Sequence, residues 1–109
     1  MITEKLKGYL GFAARSRNLQ SGYNTSLYLI TKKKAKLVLI AEEAAEGTKD
    51  KISRKCAASG VQCVIFGESK EISHACGTGS GMVFTITDGN FAGIISEEID
   101  RIRSERENS

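Results

Sequence analysis

Residues 36–41 read KLVLIA and are apolar at every position after the first. A run this short, with no polar residue alternating through it, leaves no face for water. It predicts a strand buried on both sides. Strand-like and helix-like stretches alternate around it, which predicts an α/β domain of three layers, with helices on both faces of a sheet of about four strands.

The remaining elements follow from spacing and punctuation. Over residues 3–17, Leu6, Leu10, Ala13 and Ala14 share one helical face, and Thr3 is placed to cap the start. Leu19–Ser21 has room only for a short strand, and Gly22 marks a tight turn. Asn24 or Thr25 is expected to cap a second helix with Leu27 and Ile30 inward. Thr48 is expected to cap a third, reaching Ser59 with Ile52 and Cys56 inward, and Gly60 suits the residue after its end. Residues 61–66 and 82–87 read as strands. Between them Ser69 is expected to cap a helix that buries Ile72, Ala75 and Cys76. Asp88 opens a last helix with the apolar stripe Phe91, Ile95, Ile99 and Ile102. The polar stretch from Arg103 onward is expected to fray, leaving about 104–109 as a tail.

At 109 residues the chain is expected to form one domain spanning 1–109. It is large enough to fold without disulfides or a metal. Cys56, Cys63 and Cys76 make an odd number of thiols with no C-x-x-C pair, and the single His adds no zinc pattern. With no leader pattern and no apolar run near the ~18 residues of a membrane span, a cytoplasmic chain with reduced thiols and no membrane partner is expected.

The charge is polarised. Residues 1–40 hold eight bases (Lys5, Lys7, Arg15, Arg17, Lys32, Lys33, Lys34, Lys36) against Glu4 alone, and residues 56–109 hold four bases against eight acids. A basic third of this kind is the electrostatic footprint of a nucleic-acid binder, or simply a solvated face.

No enzymatic constellation emerges. The GTGSG loop at 77–81 has Met82 where a dinucleotide fingerprint needs its third glycine, and it runs from helix into strand rather than the reverse. It reads as a flexible turn, or as a backbone lip that can approach RNA closely. His74 and Cys76 are two apart and do not share a helical face. Glu42 and Glu43 follow the central strand, where α/β proteins often bind ligands, but no partner group joins them and a solvated loop is the simpler reading. No catalytic residue, cofactor or metal is expected.

Residues 21–41 hold more promise. Asn24 at a helix start can cap the helix or read a base edge. The helix start itself favours phosphate. Lys32, Lys33, Lys34 and Lys36 make the local field strongly positive, and Tyr23 and Tyr28 can stack on splayed bases or cover the helix.

The order of these residues resembles the L-seven-Ae family of ribosomal proteins, which bind kink-turn RNA. The resemblance runs through Gly22-x-Asn24, Lys32, the segment from Ala35 to Glu43, Thr48-Lys49-x-Lys51-Ile52, Ile72-x-x-Ala75-x-Gly77 and Thr87-Asp88-x-x-Phe91-Ala92. It is greatest to short bacterial members and covers nearly the whole chain. It implies an α-β-α sandwich with a mixed four-stranded sheet and RNA held by two elements. One is the start of the second helix with Gly22, Tyr23, Asn24, Thr25, Tyr28 and the lysines. The other is the loop of Gly77, Thr78, Gly79, Ser80, Gly81 and Met82. By the resemblance, the Asn meets the edge of a sheared G·A pair, the bases meet phosphate and guanine, and the loop packs on a flipped nucleotide. Thr25 and Tyr28 stand where the family's kink-turn binders carry an acid and a Lys.

The resulting expectation is a monomeric, non-enzymatic protein that binds structured RNA, ribosomal RNA or another kink-turn RNA, with possible ribosome association. The alternative is a protein-interaction module on the same fold that has lost kink-turn recognition and docks through its acidic last helix. A weaker third reading is a small-molecule enzyme using Glu42, Glu43 or the glycine loop.

Overall fold

The structure is a computed structural model that describes residues 2–108. Its elements follow the chain as α1 (Glu4–Arg15), β1 (Leu19–Ser21), α2 (Tyr23–Thr31), β2 (Leu37–Ile40), α3 (Glu46–Ser59), β3 (Gln62–Ile65), α4 (Ser69–Cys76), β4 (Val83–Ile86) and α5 (Gly89–Glu107). The apolar run is β2, buried at every residue. The sheet order is β1-β4-β2-β3, so β2 and β4 are its two inner strands. β2 runs parallel to β3 and antiparallel to β4, and β1 is antiparallel to β4, which makes the four-stranded sheet mixed.

The alternation of side chains along β2 separates the two cores. Leu37 and Leu39 pack with Leu6, Leu10 and Ala13 of α1, Ile72 and Cys76 of α4, and Ile95, Ile99 and Ile102 of α5. Val38 and Ile40 pack with Leu29 and Ile30 of α2 and Ile52 and Cys56 of α3. Helices therefore cover both faces, and the fold is the expected three-layer α-β-α sandwich. The α2–α3 face also carries a polar contact, a 2.7 Å hydrogen bond from Thr85 Oγ1 to Ser26 Oγ, both fully buried.

Two caps are as the sequence predicts. Thr3 Oγ1 accepts from Leu6 N–H, and Asp88 Oδ2 accepts from Phe91 N–H. Three differ. α2 begins at Tyr23, so the cap position falls on Gly22, ahead of Asn24 and Thr25. α3 starts before Thr48, with Ala45 at its cap position. α4 has Glu68 at its cap position, and the carboxylate that meets Ser69 N–H, at 2.9 Å, comes from Glu43 in the β2–α3 loop. Ser69 instead donates its hydroxyl to Gly81 C=O at 2.6 Å. A cap is chosen by where the chain turns into the helix, which depends on packing that residue type alone does not report. α5 also continues to Glu107, past Arg103 where fraying is expected, and Ser109 lies outside the described residues.

α1 and α5 are joined through Glu98, whose side chain is buried. Its carboxylate accepts from Thr3 Oγ1 at 2.8 Å and from Arg101 at 2.9 and 2.6 Å. The Arg101 guanidinium holds the Glu98 pKa down to about 2, against the opposing effect of burial. A carboxylate whose folded pKa lies below its unfolded value stabilises fully above the unfolded value, near 4.5, and loses that contribution as pH falls toward 2. In urea titrations across this window, the stability gap between the wild type and Glu98→Gln is expected to close as pH falls. A gap independent of pH would contradict this assignment.

Candidate nucleic-acid interface

Strand direction divides the sheet into two poles. At one, Gly22 N–H donates to Val83 C=O (2.9 Å), Ala41 N–H to Met82 C=O (2.8 Å) and Glu42 N–H to Gly67 C=O (2.8 Å). This pole joins the start of α2, the end of β2, the start of α4 and the loop before β4. The two elements expected to bind RNA, 58 positions apart between Asn24 and Met82, thus meet at one end of the sheet.

Gly22 makes this meeting possible. Its φ of 126° and ψ of 148° lie in a region that residues with a Cβ scarcely enter. No side chain caps α2. The first N–H groups of the helix therefore face outward without an intrahelical partner. Asn24, one residue inside the helix, is exposed, and its side-chain amide has no partner among the described residues. The capping role that the sequence offers Asn24 is vacant in the structure, and its amide is free to meet a ligand.

Asn24, Tyr28 and Lys32 follow one another at helical i, i+4 spacing and form one exposed stripe. Tyr28 is 55% exposed, and Lys32 Nζ lies 5.8 Å from its ring centre. Tyr23 differs: it packs on the α2–α3 core, with Lys51 Nζ 5.9 Å from its ring. Of the two tyrosines, Tyr28 is the one presented for stacking. Thr25 is half-buried beside Gly22.

The loop divides in function. Gly77, left-handed at φ 72°, and Thr78, whose N–H reaches Ser73 C=O at 3.0 Å, close the end of α4. Gly79, Ser80 and the 41%-exposed Met82 form its open edge. Gly81 is the pinned point, since a Cβ there would stand 2.5 Å from Ser21 Oγ. Gly81→Ala is expected to cost about 1 kcal/mol as local overpacking, and Ser21→Ala in the same chain to recover most of it. Thermal unfolding of the two single variants and the double variant measures this; strictly additive losses would rule the contact out.

Beside this loop lies an open cleft of about 350 Å³, lined by Glu43, Ser69, Lys70, Ser73, His74 and the loop residues Thr78, Gly79, Ser80 and Met82. Ser73 Oγ is buried there without a hydrogen-bond partner. Glu43, which caps α4, belongs to the frame of this cleft, so its carboxylate has a structural task.

Lys33, Lys34 and Lys36 are not brought to this pole. α2 is nine residues long, so its end stands about 13 Å from its start. Lys36 N–H bonds to Ile86 C=O at the far end of β4. Sequence proximity within residues 21–41 suggests one positive face, but an antiparallel helix–strand turn carries these lysines to the other end. Lys70 lines the cleft and Lys51 stands over the ring of Tyr23, the neighbour of Asn24, and both are absent from the sequence-based expectation. One signal was available: the helices that follow β2 and β3 must start at the same pole as α2.

The other candidate groups are also placed. Cys76 is buried, and burial pushes its thiol up to about 12, while His74 is exposed on another face. The neighbouring Cys56 thiol chiefly, and also Ser53 Oγ at 3.8 Å, hold the Cys63 thiol below its usual value, against the effect of burial. Among the described residues, no group of three His, Cys, Asp or Glu side chains could hold a metal ion, and no helix is long and apolar enough to cross a membrane. On the acidic last helix, Glu98 is buried, and Arg101 bridges it to Glu105.

Residues 4–95 match the profile of the ribosomal protein L7Ae/L30e/S12e/Gadd45 family. The chain is 32% identical over 97 residues to the RNA-binding protein YlxQ of Enterococcus faecium, covering 89% of this chain and 93% of that one. A solved structure from Bacillus halodurans C, of a protein with unknown function, superposes with a TM-score of 0.86 at 26% identity, over 90% of this chain and 99% of that one. The 15.5kD RNA binding protein of Giardia lamblia superposes with a TM-score of 0.71 at 20% identity, over 95% and 92% of the two chains, and shares the fold.

Proposed function

Because this chain belongs to the ribosomal protein L7Ae/L30e/S12e/Gadd45 family, we infer that it is a non-enzymatic RNA-binding protein that reads structured, kink-turn-like RNA at the Asn24 pole. Ribosomal RNA is the first candidate partner, with association to the ribosome through it.

One observation carries the choice of site. Asn24 presents an unpartnered amide on an uncapped helix start, at the same pole of the sheet as a glycine-rich loop and an open cleft. An amide can accept from and donate to a purine edge at once. The outward N–H groups of α2 favour a phosphate beside it. Tyr28 offers a ring to an unstacked base, Lys51 and Lys70 supply charge near the rim, and Lys32 adds charge farther along α2, beside Tyr28. The cleft lined by Ser73, Ser80 and Met82 has room for a base turned out of its stack. Gly79, with open space where a Cβ would stand, lets the RNA backbone approach the loop closely.

The test is a gel shift with a kink-turn RNA and with the same RNA after its sheared G·A pairs are replaced by Watson–Crick pairs. Preferential binding of the first is expected, with affinity falling as salt rises. Equal binding of both would remove the kink-turn reading while keeping RNA binding. No binding of total RNA at low salt would overturn the function.

A further inference from the structure

Two residues other than glycine hold a left-handed backbone among those described, Arg17 at φ 65° and Lys33 at φ 60°. Each follows a helix, α1 or α2, and each closes it with the same 3.1 Å bond to a carbonyl three residues back. A residue with a Cβ is disfavoured there, and glycine is the usual occupant. Both positions instead carry a base.

Both stand at the pole opposite Asn24. Asn18 C=O accepts from Thr87 N–H at 2.9 Å, and Lys36 N–H donates to Ile86 C=O at 2.8 Å, so the segments around Arg17 and Lys36 flank the same end of β4. β1 and β2 lie on either side of β4, about 10 Å apart. Lys34 is held at the end of α2, its N–H bonded to Leu29 C=O.

Arg17, Lys33, Lys34 and Lys36 are all exposed, and none has an ion-pair partner among the described residues. Lys7, Lys49, Arg54 and Arg101 each meet a carboxylate, while Lys55 and Lys70 are as unpaired as these four but stand apart from one another. The acid that follows β4, Asp88, is turned to Phe91 N–H. Helix C-termini attract a base each, and α1, α2 and α3 all end at this pole, α3 just before Gln62, which pairs with Leu37. One cation per helix still leaves one of the four without a structural task.

We propose that Arg17, Lys33, Lys34 and Lys36 form a second RNA surface, which grips the phosphate backbone of a duplex at the pole opposite the Asn24 site. The class of partner rests on the RNA-binding reading above. Long unpaired cations without a base-reading amide suit a continuous backbone, and a duplex offers the densest row of phosphates. Two surfaces at opposite ends of one sheet let the chain hold two RNA segments together.

The test compares wild type, Asn24→Ala and a variant combining Arg17→Gly, Lys33→Gly, Lys34→Gln and Lys36→Gln. Glycine keeps the left-handed backbone, and a melting curve checks that each variant folds. Fluorescence anisotropy is read against a plain RNA duplex and against a minimal kink-turn RNA too short to reach the far pole. The four-residue variant is expected to lose plain-duplex affinity about tenfold or more, with the slope of log affinity against log salt smaller by about 3, and to keep its affinity for the short kink-turn RNA. Asn24→Ala is expected to do the reverse. Wild-type duplex affinity and slope in the four-residue variant would overturn the second surface, as would equal losses on both RNAs or wild-type binding of anionic vesicles as tight as of duplex. Loss of duplex binding there, with no effect of Asn24→Ala on the kink-turn RNA, would uphold the second surface and fail the first.

Discussion

Gly22→Ala is expected to lower the free energy of unfolding by on the order of 1–3 kcal/mol and to weaken RNA binding with it. The loss comes from the backbone alone. A Cβ at Gly22 would meet nothing closer than Thr25 Oγ1 at 3.6 Å, so there is room for it. The φ of 126° is what alanine cannot hold cheaply. To relax, the chain must turn the peptide that carries Gly22 N–H away from Val83 C=O, a bond of 2.9 Å that extends the β1–β4 pairing by one step. That bond also sets the angle at which α2 leaves the sheet, and hence where Asn24 stands relative to the loop at residues 77–82. Stability and binding should therefore fall together. Gly93→Ala is the control, since it has no neighbour within 4 Å, lies inside α5 and should gain about 0.5–1 kcal/mol from helix propensity. Urea denaturation of both variants is the measurement. A wild-type midpoint for Gly22→Ala would show that the turn is not held as described.

Asn24→Ala separates binding from stability. Its cost against a kink-turn RNA is expected to be about 1–3 kcal/mol, roughly 5- to 150-fold in affinity, the range of a good bidentate base contact. Its effect on folding should stay within about 0.5 kcal/mol, because the side chain is exposed and partnerless and alanine is the better helix former. Had Asn24 capped α2, the same change would cost about 1 kcal/mol of stability. The salt slope should hold steady, since the contact is to a base edge rather than to a phosphate. Isothermal titration with wild type and variant, beside their melting curves, gives all three quantities. Unchanged affinity would remove Asn24 from the site.

How far this was legible in the chain varied with the kind of feature. Burial was the most legible. The unbroken run in β2 and the stripe of Ile95, Ile99 and Ile102 in α5 are one-dimensional records of which faces meet water, and both cores are built on them. The family pattern was legible for a related reason, as the Gly22-x-Asn24 turn and the entry at Asp88 are local arrangements that backbone geometry demands. Caps were read less well. Thr3 and Asp88 are caps, but Thr48 and Ser69 lie within their helices, and Asn24 is released from the role by Gly22. A hydroxyl or amide near a helix start is compatible with several starts, and packing selects one.

The sequence by itself determined the layers and the elements, and named the residues proposed to meet RNA, because hydrophobic period and turn chemistry act over a few neighbours. Only the tertiary structure decided which of those residues share a surface. Strand order and direction bring Gly79, Ser80 and Met82 to Asn24 across half the chain, and the same directions carry Lys33, Lys34 and Lys36, only a few residues from Asn24, to the opposite pole. Nearness along the chain is set by covalent bonds; nearness at a surface is set by which end of a strand each helix must begin from.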